Sequence, residues 1–252
     1  MEEVTVHRGD RLLCHGLNLT IAAGSCWVIL GPNGVGKSTL LHTMAALHPL
    51  SGGCITLLGK PLSSWSRRDL ARVMGVLLQQ QETLFPVTVL AMALSGRYPH
   101  RSAWQHRNQQ EDLDRARQAL VLVELESHAH RDLDTLSGGE RRRAALAMVL
   151  TQDPPLLLLD EPTTHLDIHH QILILDHITR RWRDRGGAVC MVLHDINLAA
   201  RYGDHLLCLF ADGQHEQGPT RQILQQSRVS RLMQRPMVSL QGAAGRQAWL
   251  PE

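Results

Sequence analysis

The chain has 252 residues, 43% hydrophobic and 20% charged, with a formal net charge of +2. This composition fits a globular protein with one large domain or a domain plus a lobe, and so small a charge does not advertise a nucleic-acid binder. Five cysteines, Cys14, Cys26, Cys54, Cys190 and Cys208, are odd in number and lack Cys-x-x-Cys spacing. They argue against a disulfide framework and for reduced thiols in a cytosolic compartment.

Behind Met1-Glu2-Glu3 there is no apolar segment of the kind a secretory leader needs. The apolar run 27–30, entered from Ala23-Gly24, predicts a buried strand. It feeds Gly31-Pro32-Asn33-Gly34-Val35-Gly36-Lys37-Ser38-Thr39, which fits Gly-x-x-x-x-Gly-Lys-[Ser/Thr], and the stretch 40–47 beyond it predicts a helix. Glycines let the backbone wrap tightly round a polyphosphate, and a helix N-terminus offers free N–H groups and positive dipole to the anion. Lys37 is then placed to reach the β and γ phosphates and Ser38 to hold Mg²⁺. The competing reading, a glycine-rich turn without a ligand, does not explain why lysine and a hydroxyl follow the last glycine.

From 85 to 131 the chain is rich in Gln, Arg, Asp, Glu and Ala, with Leu113, Leu120 and Leu125 at helical spacing. This predicts a mostly helical insertion. Leu136-Ser137-Gly138-Gly139-Glu140 follows, where Ser137 and Glu140 have the spacing of a capping box opening a helix over 141–150. The double glycine inside the cap leaves bare backbone that an anion can approach. Basic residues cluster at Arg141-Arg142-Arg143 and around Trp182, and such short clusters read as solvated helix faces or partner contacts.

Asp153-Pro154-Pro155 turns into the run 156–159, a second buried strand, which delivers Asp160-Glu161 to its carboxyl end. Ligands of open α/β sheets sit there, so Asp160 suits a Mg²⁺ shell and Glu161 suits a general base acting on water. Gly186-Gly187 introduces a third strand over 188–193, and 206–210 with Asp212-Gly213 predicts a strand and a hairpin turn. Beyond about 221 one helix and a short strand ending near 250 are expected. The fifteen histidines are scattered without a zinc-type pattern, and apolar runs such as 144–150 fall far short of the ~18 residues that span a bilayer. Strands separated by helices imply an α/β nucleotide-binding core.

The order phosphate loop, Gln79, Leu-Ser-Gly-Gly-Glu, Asp160-Glu161, Leu166-Asp167, His194 resembles the ATP-binding subunits of ABC transporters over nearly the whole chain. Within them it is most similar to the ATPases of importers for iron–siderophore, haem and cobalamin. That narrower likeness is carried by Gln79 with Phe85-Pro86-Val87-Thr88-Val89, Gly96-Arg97-Tyr98-Pro99-His100, Thr164-His165-Leu166-Asp167, and His194-Asp195-Ile196-Asn197-Leu198-Ala199-Ala200-Arg201-Tyr202. The resemblance implies a single P-loop NTPase domain of ABC type over 1–252, α/β with a parallel central sheet and an N-terminal antiparallel β portion. The core would be 1–84 and 132–252, and the inserted helical subdomain 85–131, continuing into the signature helix 137–150.

The same resemblance implies the roles. Gln79 would sense the γ-phosphate and Mg²⁺, with Gln80 and Gln81 competing for that position and Gln79 fitting the spacing to Thr88-Val89 best. Ser137, Gly138 and Gly139 would grip the ATP bound by the other subunit of a head-to-tail homodimer. Asp167 would communicate across that dimer, and His194 would contact the γ-phosphate and brace the attacking water beside Glu161. Mg²⁺ would be held by Ser38, Gln79 and Asp160. No Tyr or Phe stands in the segment Val6-His7-Arg8-Gly9-Asp10, where the family often stacks a ring on adenine, so His7 or Arg8 is left for that contact.

The implied function is an ATP-hydrolysing motor subunit, peripheral on the cytoplasmic face of the membrane. Its partners would be an integral-membrane permease and a periplasmic or surface substrate-binding protein, with no nucleic acid. The alternative is a soluble ABC ATPase of translation or DNA repair; those usually carry two nucleotide domains or a long coiled-coil insertion, which this chain lacks. A P-loop kinase would lack the Leu-Ser-Gly-Gly-Glu and His194 motifs. The cargo touches the permease and binding protein, so the three chelates stay open, with the overall likeness leaning to the cobalamin and siderophore side.

Overall fold

The computed structural model describes residues 1–79, 86–101, 109–241 and 247–252. Strands β1 (Glu2–Arg8), β2 (Arg11–Leu17) and β3 (Cys26–Leu30) precede helix α1 (Lys37–Met44) and the short strands β4 (Gly52–Cys54), β5 (Thr56–Leu57) and β6 (Lys60–Pro61). Then come α2 (Arg67–Val73), β7 (Met74–Leu77), α3 (Val89–Ser95), α4 (Gln109–Leu122) and α5 (Gly138–Gln152). The rest alternates more evenly: β8 (Leu156–Asp160), α6 (Ile168–Asp184), β9 (Ala188–Val192), α7 (Ile196–Tyr202), β10 (His205–Leu209) and β11 (His215–Pro219). Helices α8 (Thr220–Ile223) and α9 (Gln226–Met233) and strands β12 (Met237–Gln241) and β13 (Gln247–Pro251) finish it. Among the described residues no helix is long and apolar enough to cross a membrane.

The chain forms two compact units. The first combines Met1–Trp65 with Ala188–Glu252. Its centre is β3, parallel to β9 on one side and to β10 on the other, with β11 antiparallel at the edge beyond β10. Every residue of β3 and of β9 is buried, as expected of strands covered on both faces. A three-stranded antiparallel sheet, β2-β1-β4, supplies the N-terminal β portion. At the other end of the chain the structure departs from expectation: two helices and an antiparallel hairpin, β12 with β13, replace one helix and one strand. A solitary strand would leave its backbone groups unpaired, and pairing with a neighbour satisfies them. Trp249 ties the hairpin to α7, its backbone N–H donating to Asn197 Oδ1 (2.7 Å) while Asn197 Nδ2 donates to its carbonyl (3.1 Å).

The second unit is Ser66–Gly187. Here β7 and β8 pair in parallel, Met74 beside Leu156 through Leu77 beside Leu159. Helix α5 packs against α3, α4 and β7 with a buried face of Ala144, Ala145, Leu146, Ala147, Val149 and Leu150. Helix α6 is strongly amphipathic, burying Ile174, Leu175, Ile178 and Trp182, and Trp182 Nε1 donates to Pro154 O (2.8 Å). The cluster around Trp182 is therefore half inside: Trp182 is core while Arg180 and Arg183 are exposed.

Candidate functional site

In the first unit, Ile29 of β3 lies beside Val192 of β9, and Leu193 N–H donates to Ile29 O (3.3 Å). Gly31 and His194 each stand two residues past that pair, so the glycine-rich loop and His194 leave adjacent parallel strands at the same, ligand-binding edge. Gly34 and Gly36 adopt φ of 72° and 116°, a region that disfavours side chains, and a Cβ on Gly36 would lie 2.9 Å from Leu13 Cδ1. A Cβ on Gly31 would sit 2.6 Å from Leu209 O. Both conformation and space thus demand glycine.

Lys37 opens α1, one-twentieth exposed, and its Nζ donates to Gly31 O (2.8 Å) and Pro32 O (3.0 Å). Gly36 at the N-cap has no side chain to cap α1, and a helix N-terminus with an ammonium beside it suits an anion. Ser38 is half-buried and Thr39 buried; Pro32 is half-buried, Asn33 exposed and Val35 buried. The helix ends at Met44, earlier than the sequence pattern suggests, because Ala46 turns left-handed at φ 57°. His194 is exposed, and Asp195 behind it caps α7 by accepting from Asn197 N (2.6 Å) and Leu198 N (3.2 Å), which fixes the backbone there. His7 and Arg8 lie on β1 opposite Leu12 and Arg11, His7 half-buried and Arg8 exposed.

In the second unit the same logic repeats. Leu77 lies beside Leu159, so Gln79 and Glu161 each leave two residues later at one carboxyl edge. Gln79 is exposed, Asp160 is fully buried, and Glu161 is nearly so. Gln80, Gln81 and Phe85 lie outside the described residues. Glu161 holds φ 51°, a left-handed conformation that costs a side-chain-bearing residue about 1–2 kcal/mol. Thr164 braces it twice, donating N–H to Glu161 O (3.2 Å) and Oγ1–H to Glu161 Oε2 (3.0 Å).

The Ser137–Glu140 capping box is complete: Glu140 N–H donates to Ser137 Oγ (3.3 Å) and Ser137 N–H to Glu140 Oε2 (2.7 Å). Those bonds from Ser137 hold the Glu140 carboxyl below its usual range. The two glycines do different work. A Cβ on Gly138 would meet nothing, leaving an exposed backbone face, whereas one on Gly139 would lie 2.8 Å from His165 O. Exposed Asp167 caps α6 and accepts from His170 N (2.9 Å) and Nδ1 (2.9 Å), which lowers its carboxyl pKa.

One residue that sequence reasoning places on a solvated face is instead at the centre of this unit. Arg142 is 8% exposed, and its guanidinium donates to the carbonyls of Leu78 (2.5 Å), Gln79 (3.2 Å), Glu161 (2.9 Å) and Asp160. Helical spacing carried the signal: Arg142 stands four residues before Leu146 and on its buried face. Arg141 is exposed, as a surface cluster would be, and Arg143 is half-buried, donating to Val123 O and Glu124 O.

The ABC transporter family model matches residues 14–164. A ferric enterobactin transport ATP-binding protein of Escherichia coli K12 is 37% identical over 234 residues, covering 92% of this chain and 85% of its own length. A hemin import ATP-binding protein of Streptomyces coelicolor is 40% identical over 233 residues, with 92% and 81% covered. A solved structure of an inward-facing ABC transporter assigned to the metal-chelate type superposes with a TM-score of 0.84 at 26% identity, over 100% of this chain and 96% of that one.

Proposed function

Since the chain belongs to the ABC transporter family of ATP-binding subunits, we propose that it is the ATP-hydrolysing motor of an importer that takes up a metal chelate, iron–siderophore or haem, through a separate membrane permease. Cobalamin is the third cargo its motifs allow. The observation that carries the ATPase reading is repeated in both units: motif residues leave paired parallel strands at their carboxyl ends, Gly31 with His194 and Gln79 with Glu161.

In this reading residues 31–39 cradle the phosphates and Lys37 balances charge on the β and γ groups. Ser38, Gln79 and Asp160 offer a hydroxyl, an amide carbonyl and a carboxylate, hard oxygen donors of the kind Mg²⁺ takes. A cation held there would neutralise charge on the phosphate oxygens. Glu161 takes the proton of the attacking water, and His194 orients that water and the γ-phosphate. Ser137 and Gly138, both exposed, and Gly139 act on the nucleotide of a second copy, Asp167 communicates with that copy, and His7 or Arg8 stacks on adenine.

The subunit would work on the cytoplasmic face of the membrane, with a substrate-binding protein delivering cargo from outside. The lobe from about 79 to 131 is the proposed permease contact. Within its Arg97-Tyr98-Pro99-His100 motif, Tyr98 is the exposed side chain (67%), while Arg97 is held by Asp112 at 2.7 Å. Proteoliposomes containing this subunit and its permease, supplied with a binding protein loaded with ferric siderophore, haem or cobalamin, test the proposal. One chelate should accumulate with ATP consumption, and Tyr98→Ala should reduce uptake more than ATP turnover by the isolated subunit. ATP turnover without accumulation of any of the three would contradict it.

A further inference from the structure

A guanidinium needs strong reason to be inside a protein, because burial removes the hydration of a permanent charge. Around Arg142 the compensation comes from main-chain carbonyls belonging to two separate segments. Nη1 donates to Leu78 O (2.5 Å) and Gln79 O (3.2 Å), and Nη2 to Glu161 O (2.9 Å) and Asp160 O. Burial pulls its pKa down to about 10, with Asp160 and Glu161 opposing that fall, so it is charged at neutral pH.

Only a planar fork fits this arrangement. The two terminal nitrogens of arginine each serve one segment, whereas a lysine ammonium is a single point and cannot span both. The segments joined are those that follow β7 and β8, and one of them contains the left-handed Glu161. The fork itself projects from α5, whose first turn carries Ser137, Gly138 and Gly139 at its capped end.

We infer that Arg142 is a positioning residue: its guanidinium locks the backbone of the γ-phosphate sensor Gln79 to that of the base Glu161, so that helix α5 sets both. This deepens the ATPase reading and rests on the roles given there to Gln79 and Glu161. The Arg142 guanidinium bonds main-chain carbonyls, and it acts through the direction in which the Glu161 side chain leaves a strained backbone. A displacement of about 1 Å at a reacting group is enough to cost on the order of 100-fold in rate.

The test uses the full chain with Arg142→Lys, which keeps charge but loses the fork, and Arg142→Gln, which keeps donors but loses charge. Each is made alone and in a Glu161→Gln background, with ATP affinity, single-turnover hydrolysis and thermal midpoint measured. The single variants should lose roughly 100-fold in kcat while KM and ATP affinity move less than about threefold, since the phosphate loop is untouched. In the Glu161→Gln background the same changes should cost under about threefold more, because the group being positioned is already gone. A lowered thermal midpoint with full kcat, or equal losses in both backgrounds, would overturn the inference and leave Arg142 a packing residue. Full turnover in Glu161→Gln alone is a different failure, because it removes the base on which the inference stands.

Discussion

Lys37 illustrates how a single residue type can be forced by chemistry. Its ammonium is held at the mouth of the glycine loop by Gly31 O and Pro32 O, and it stands at the first position of α1 where the helix dipole is also positive. Replacing it with alanine would remove the proposed charge-assisted contact to phosphate, about 1.5–3 kcal/mol, or about 10- to 150-fold in affinity. A nucleotide titration of Lys37→Ala should show that loss, and unchanged affinity would exclude the loop as the phosphate site. Residues of this sort are legible in sequence because few side chains supply their chemistry, as with lysine and a hydroxyl after the last glycine or two carboxylates at a strand end. Arg142 was not legible by that route, because three consecutive arginines look like a charged surface until the helical period places the middle one inside. The adenine contact is weakly written for the opposite reason. Many flat side chains stack, so His7 and Arg8 carry no distinguishing chemistry.

Helix α5 ends in a device whose energetics can be tested as an element. Asp153 follows Gln152 in a left-handed conformation (φ 59°) and its carboxylate accepts from Arg115 of α4 (3.3 Å), Arg181 of α6 (3.1 Å) and Arg185. Burial raises the pKa of this carboxyl, but the hydrogen bonds and charges of Arg185 and Arg181 outweigh that and hold it below its ordinary value. A depressed carboxyl pKa contributes stability that is present above the unfolded value near 3.8 and lost as pH falls through the folded one. Asp153→Asn keeps a residue that tolerates the left-handed turn and discards the charge. It should destabilise the protein by about 1–2 kcal/mol at neutral pH, read as a lower denaturant midpoint. The difference from the parent should shrink below about pH 4, and a constant difference down to about pH 2 would contradict this role for the charge.

Other elements show why sequence patterns reach only so far. The runs in β3, β8 and β9 are apolar without alternation and were legible as buried strands. The hairpin β12–β13 was not. Its docking depends on Asn197 meeting Trp249 across a separation of 52 residues in sequence, a contact that no local pattern encodes.

At the scale of the whole molecule, the groups proposed to meet a second copy are exposed ones. Ser137 and Gly138 present an open backbone face at a capped helix end, and Asp167 is exposed while held in place by His170. Such fixed, solvent-facing polar groups suit a nucleotide that acts as interface glue, so that ATP favours the dimer and hydrolysis releases it. The motif order in the sequence is what proposes this assembly. The cargo was not legible, because the chelate would be recognised by other polypeptides.

The proposed catalysis and assembly meet at Glu161, and Glu161→Gln examines both at once. An amide cannot take the proton of water, so turnover should fall by at least about 100-fold while ATP is still bound. Sedimentation of purified Glu161→Gln with Mg²⁺ and ATP should then give a stable dimer holding two nucleotides, where ADP gives monomer. Adding Ser137→Arg, which puts a bulky cation at the exposed cap, should return it to an ATP-bound monomer. A Glu161→Gln protein that hydrolyses ATP at the parent rate, or stays monomeric in saturating ATP, would contradict the account.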